Sequence, residues 1–438
     1  MSTGSLHART EEQALFADIL RCACLLNEGK AADVPALAAQ GLVRARLAGC
    51  LEAESEFEWT LFHVAWSKGD TAQAVEHGER DLALRRQLPA QGTRMDQSQG
   101  MAVLLSSLAL ATTNSGRFLD GRGRHEEALE YQVKHRLVYH QALGAANFMS
   151  VEMALGRLAS AQTLGERIAG LLDAGLVHDH DRLHALGALG VLHGLDGQWG
   201  QALHRLDELE QAIDAKPSGY APTLPATRAH FLLTIGRRDL ALQVMDRIET
   251  RLPNGPSMFR VVSDVHHCIA AQRCDGESLL EPISAIGNVL VRLRSLLALA
   301  PQLDPATVLP LLTLASAQAR DGGGWGYWIA LEARRAVALA RLGKTDSAAA
   351  LAREAWARHL SGVWPMMVIP EFAADLAEAL VVADPGLAFE VAQRGRDALA
   401  AAAQTLDSHW RQTCLERSPS QLRLSALMPR LARLIRGR

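Results

Sequence analysis

Aromatic side chains are scarce in this sequence, with four Tyr, nine Phe and an aromatic fraction of 5%. Sandwiches and barrels draw on such residues, so the scarcity argues against a β core. Ala and Leu, both strong helix formers, carry the apolar load of a chain that is 48% hydrophobic. Lysine is scarcer still: Lys30, Lys68, Lys134, Lys216 and Lys344 are five of 45 basic residues. A dominant charge is lacking too. A net charge of −3 over 438 residues supplies no global field to draw in nucleic acid or an anionic membrane. Six cysteines (Cys22, Cys24, Cys50, Cys268, Cys274 and Cys414) are too few for a disulfide scaffold in so long a chain. Most lie in apolar helical patterns, where a reduced, buried thiol is expected. No apolar run approaches the roughly 18 residues of a membrane span, and residues 1–13 carry no signal-peptide core. The expectation is a cytoplasmic protein with no membrane partner and no nucleic-acid partner.

Catalytic signatures are missing as well. The sequence has no Gly-x4-Gly-Lys-Ser/Thr phosphate loop, no Gly-x-Ser-x-Gly elbow and no His-Glu-x-x-His. No residue is assigned a catalytic, cofactor-binding or metal-binding role, no cofactor is expected, and the chain reads as a non-enzyme.

What is present is repetition. Six segments place a Gly five residues before an Ala: Gly69/Ala74, Gly123/Ala128, Gly156/Ala161, Gly197/Ala202, Gly236/Ala241 and Gly343/Ala348. Each Gly lies between two amphipathic runs of helical period. It supplies the left-handed backbone that ends one helix, and the small residue after it lets the second helix come close. Successive spacings are 33 residues from Gly123 to Gly156, 41 to Gly197 and 39 to Gly236, with a weaker turn at Gly29 preceding Gly69 by 40. These are helical-hairpin periods. Pro follows an N-capping residue at Asp304-Pro305, Asp384-Pro385 and Ser418-Pro419.

The pattern resembles the tetratricopeptide repeat. That family puts a small residue twelve positions before the Ala, and Gly116, Gly190, Ala229 and Ala336 fit, whereas Phe62 and Met149 do not. Pro253 stands where the family ends its second helix, and Ala355 repeats its late small position. The resemblance implies an all-α fold, a right-handed α-α superhelix of about nine to eleven hairpins. The glycine-rich stretch from Asp321 to Trp328 suggests a hinge at Gly322 to Gly324, dividing an N-terminal array, 1–320, from a C-terminal array with a capping helix, 321–438. The segment from His409 to Leu427 is similar to the end of the tetratricopeptide region in large bacterial signalling-ATPase transcriptional regulators. That similarity implies a regulatory or sensor segment in signal transduction or transcription regulation. Its partners would be a protein or peptide ligand in the concave groove and an ATPase or transcription regulator. An enzyme on a helical scaffold and a structural assembly subunit are the alternatives.

Three clusters carry metal-capable side chains. His178, Asp179, His180, Asp181 and His184 gather at one helix start, where N-capping by Asp179 or Asp181 is the plainer reading. His266, His267, Cys268 and Cys274 match no common zinc spacing, and Cys22 and Cys24 point apart on a helix. Near the C-terminus, Leu424, Leu427, Leu431 and Leu434 form a stripe flanked by Arg423, Arg430 and Arg433. A capping helix with a solvated arginine face accounts for it.

Overall fold

The computed structural model describes residues 3–28, 30, 32–89, 97–215, 223–249, 252, 257–271 and 275–436. Among these, every regular element is a helix: 22 α-helices and two short 3-10 segments. The fold is all-α, an array of antiparallel helix pairs of the tetratricopeptide type. Contacts divide the chain into unit 1, residues 1–144 with 287–289, and unit 2, residues 145–286 with 290–438.

Unit 1 holds α1 (Thr3–Asn27), α2 (Val34–Ala48), α3 (Leu51–Ser67), α4 (Thr71–Arg85), α5 (Gln97–Asn114) and α6 (Phe118–Lys134). Helix α7 (Val138–Ala154) enters unit 2 at Ala145. The rest of unit 2 begins with α8 (Leu158–Asp173), α9 (Asp179–Leu195), α10 (Trp199–Ala215), α11 (Thr223–Thr234) and α12 (Arg238–Glu249). Then come α13 (Met258–Ala271), α14 (Leu280–Ser284), α15 (Val289–Leu299), which belongs to unit 2 from Leu290, α16 (Pro305–Asp321) and α17 (Trp325–Arg341). It closes with α18 (Thr345–Leu360), α19 (Ile369–Leu380), α20 (Pro385–Gln404), α21 (Ser408–Arg417) and α22 (Pro419–Arg436).

The hairpins α3/α4, α5/α6, α9/α10, α11/α12, α17/α18 and α19/α20 pack closely, and odd-numbered helices also touch one another, as in α9 on α11, α11 on α13 and α17 on α19. Each helix buries one apolar stripe on its partner and another on the next hairpin, so the array is stable only as a stack.

Five of the six repeat glycines sit at the turns with positive φ: Gly69, Gly156, Gly197, Gly236 and Gly343, between 75° and 84°. Around Gly156 the hydrogen bonds are those of a Schellman cap. Gly156 N–H donates to the Met153 carbonyl at 2.9 Å and Arg157 N–H to the Glu152 carbonyl at 2.8 Å. Gly123 departs from the expectation, because it lies inside α6 with open space around it. The α5/α6 turn is made by Gly116, φ 90°. Five residues on, Gly121 takes the place of the Ala, with the Thr113 side chain lying where a Cβ would stand. Residues 322–324 close into the same kind of cap, with Gly323 at φ 79° and Gly324 N–H on the Ala319 carbonyl. The proline-marked helix starts are as expected: the Asp304 carboxylate accepts from the Ala306 and Thr307 amides, Asp384 from Leu387, and the Ser418 hydroxyl from Gln421. Gly29 and Pro253 lie outside the described residues.

Within unit 2 the early turns meet later loops, backbone to backbone. Trp364 N–H donates to the Gly156 carbonyl at 2.9 Å, and Met366 N–H to Gly326 at 2.9 Å. Gly200 N–H donates to the Thr405 hydroxyl at 3.0 Å, and the Gly236 turn abuts the Arg417 carbonyl. A Cβ on Gly200 would stand 2.2 Å from the Thr405 carbonyl oxygen, whereas one on Gly170, in α8, would meet nothing within 4 Å. Both glycines are helical, where Ala normally gains about 0.5–1 kcal/mol. Gly170→Ala is therefore expected to raise the thermal midpoint of unit 2. Gly200→Ala should instead cost about 1–3 kcal/mol by forcing the loop away. Urea unfolding of the two variants checks the opposite signs.

Candidate binding groove

The metal-capable clusters do not converge. His178 is itself the N-cap residue of α9, in extended backbone, and Asp179 and Asp181 fall in the first turn, where their charge suits the positive helix end. This corrects the N-cap placement read from the sequence. The His180 side chain lies outside the described residues, and no group of three or more His, Cys, Asp or Glu residues suited to a metal occurs among the described ones. The second cluster is split by the helix. His266 faces His230, His267 lies 3.9 Å from Asp246, and Cys268 is buried. Cys268 is disulfide-bonded, which corrects its reading as a reduced thiol, and Cys274 lies outside the described residues. Cys22, Cys24, Cys50 and Cys414 are free.

Near the C-terminus, Leu424 and Leu431 are fully buried, Leu427 is half-buried, and Leu434, Arg430 and Arg433 are exposed. Arg423 is the exception to the solvated arginine face. Its guanidinium lies 2.7 Å from both Asp375 and Glu378 of α19 and pins α22 to that helix.

A different set of residues comes together in unit 2. His230 on α11 and His266 on α13 stand edge to face, with ring centroids 5.6 Å apart. Arg294 on α15 donates from Nε to the hydroxyl of Tyr327 on α17 at 2.8 Å. Glu371 on α19 pairs with Arg334 on α17, which also holds Asp375 at 2.6 Å. α11 packs on α13 and α17 on α19, and Arg294, Arg334 and Glu371 all lie close enough to His230 to act on its charge, so these side chains gather in one place.

Solvent reaches His230 and Arg294, while His266 and Glu371 are half-exposed and Arg334, Tyr327 and Asp375 are buried. The surface is enclosed nonetheless. Burial pushes the His266 imidazole down to about 4, helped by neighbouring His230 and opposed by the hydrogen bond to the Val262 carbonyl. His230 is also lowered, by burial first; Glu371 opposes that shift, while Arg334 and Arg294 reinforce it. Both rings are therefore neutral at pH 7. The Glu371 carboxyl loses solvation, but Arg334 outweighs this and holds its pKa below the ordinary carboxylate value. Arg334 itself, penalised by burial, is kept charged by Asp375 and Glu371.

Sequence reasoning flagged His266 as a soft metal ligand and missed His230, Arg294 and Glu371. They come from separate repeats, and no local motif joins them. The only local signal is that each is a polar interruption in a helix built to pack.

No family model and no curated protein sequence matches the chain. Among solved structures it is similar to the P58(IPK) TPR domain, at 10% identity over 97% of this chain and 99% of that one, with a TM-score of 0.24. It is also similar to yeast Tom70, at 13% identity over 98% and 100%, with a TM-score of 0.31. A third is the APC/C hetero-tetramer Cut9-Hcn1, at 12% identity over 98% and 99%, with a TM-score of 0.24. The fold assignment stands on the helix pairs and glycine caps of the chain itself.

Proposed function

We propose that the chain is a protein-binding scaffold whose unit 2 receives an extended segment of another protein along the face built by α11, α13, α15, α17 and α19. The observation that carries this reading is the placement of His230, His266, Arg294 and Glu371 on one accessible but enclosed surface, above a buried ion-pair network that fixes its shape. Fixed side chains from five helices give a segment several recognition points at low ordering cost. No bond chemistry is needed. The finer role, a regulatory or sensor segment working with an ATPase or transcription regulator, is supported by the sequence resemblance between His409 and Leu427. Closure of the face on a ligand would then be the signal.

Display selection of random linear peptides on the purified chain tests the reading, followed by anisotropy titration of the enriched sequences. His230→Trp fills the face from an exposed position and is expected to weaken binding about 10-fold or more without unfolding the array. Enriched peptides that bind His230→Trp as tightly as the parent would place the site elsewhere.

A further inference from the structure

Most arginines on the helices of the proposed face, or packed against them, are matched by carboxylates; Arg292 of α15 is instead taken up by the Ile286 carbonyl and the Gln318 side chain. Arg334 is matched by Glu371 and Asp375, Arg423 by Asp375 and Glu378, and Arg341 by Glu378. Arg335 is matched by Glu332, and Arg228 by Asp207 and Glu210. Arg294 has no carboxylate partner among the described residues. Its hydrogen bond runs to the Tyr327 hydroxyl, whose burial disfavours the phenolate, so the partner carries no negative charge. That single bond through Nε fixes the direction of the guanidinium and leaves its terminal nitrogens for a second acceptor. The neutral rings of His230 and His266 do not compete for an anion, and the enclosed surroundings strengthen any charge pair formed there.

We propose that Arg294 is the docking point for an acidic side chain, Asp or Glu, of the bound protein segment. The inference rests on the binding reading above and adds the chemistry of one ligand position. The carboxylate would take the terminal nitrogens of Arg294 in a paired, charge-assisted geometry, as the planar guanidinium favours. Glu371, held by Arg334, closes off the neighbouring position to a second acidic residue by like-charge repulsion.

The test is a parallel display selection of random linear peptides on the full chain and on its Arg294→Glu variant. Arg294 is exposed, so its substitution leaves the packed stack intact, and circular dichroism checks that. Sequences enriched on the parent should share Asp or Glu at one aligned position. Sequences enriched on Arg294→Glu should carry Lys or Arg there. Arg294→Gln should weaken an acidic winner by about 10- to 100-fold, the loss expected for one hydrogen bond to a charged group. Winners with no acidic position, or acidic winners that bind all three chains equally, would overturn the assignment of Arg294 while leaving the groove in place. Failure to enrich any sequence on the parent would overturn the binding reading and this inference together.

Discussion

Arg334→Met is expected to lower the stability of unit 2 by about 3–5 kcal/mol, because removing one partner leaves the others as uncompensated buried charges. Arg334 is 6% exposed and Asp375 only 1%. The loss would fall toward the lower end, since Asp375 keeps Arg423 at 2.7 Å. A second substitution, Asp375→Asn, should recover part of the loss in the Arg334→Met background and cost stability alone. Arg353→Met supplies the contrast: its bond to Asp384 at 3.1 Å is half-exposed, and losing it should cost under about 1 kcal/mol. Urea unfolding measures all four variants. A loss at Arg334 no larger than the one at Arg353 would mean that the network does not hold α17, α19 and α22 together.

The second large effect concerns pH and unit 1, where two buried groups oppose each other. His125 is buried on α6, and desolvation pushes its imidazole down from 6.5 to about 3. Its contribution to stability is complete above the unfolded value and is lost as the pH falls from about 6.5 toward 3. Asp81, on α4, goes the other way. Burial raises its carboxyl from 3.8 to about 6, against the opposing pull of Arg85 at 3.0 Å and the Ser55 hydroxyl. Glu56 shares the same arginine at 2.9 Å and is also raised by burial, so two carboxylates stand against one guanidinium. The Asp81 contribution is therefore complete below its unfolded value and is lost as the pH rises through about 6.

Between about pH 4 and 6 the two slopes, each about 1.4 kcal/mol per pH unit, have opposite signs and conceal each other. Asp81→Asn should expose the histidine slope, so that its stability falls with acidification more steeply than the parent's by about that amount. His125→Phe should expose the aspartate slope and make acidification relatively stabilising. Hydrogen exchange in α3–α6, corrected for the intrinsic rate at each pH, reads both. Parallel profiles for parent and variants would show that neither group is buried as described.

The repeat was legible in the sequence because its physics is local. A helix must end on a residue that tolerates positive φ, and Gly69, Gly156, Gly197, Gly236 and Gly343 do so where the pattern predicts. The one misplaced turn has an equally local cause. The close approach after a turn needs a small residue rather than Ala as such, and Gly121 meets that need. The Gly-to-Ala spacing is therefore met at Gly123 and Ala128, seven residues beyond the true turn at Gly116. With Gly116 as the turn, 40 residues separate it from Gly156, close to the 41 and 39 that follow. Helix starts at Asp304, Asp384 and Ser418 were legible for the same reason, since a cap and its proline are adjacent.

The candidate face was not legible. His230 and Glu371 are 141 residues apart in the chain and come within electrostatic reach of each other only in the folded array. Arg423 read as part of a solvated stripe because its partners, Asp375 and Glu378, belong to another hairpin. The close approaches at Gly200 and Gly326 were not legible either, because the backbones that lie against them, at Thr405 and Trp364, belong to distant parts of the chain.

The central claim is that a protein segment lies along the face of α11, α13, α15, α17 and α19. Its most direct test is photo-crosslinking with an enriched peptide carrying a benzophenone at successive positions, with adducts on the full chain mapped by mass spectrometry. Adducts are expected around His230, His266, Arg294 and Glu371, advancing along these helices as the benzophenone moves along the peptide. Adducts concentrated on another surface, such as the exposed Val43 and Leu47 of α2 in unit 1, would contradict it.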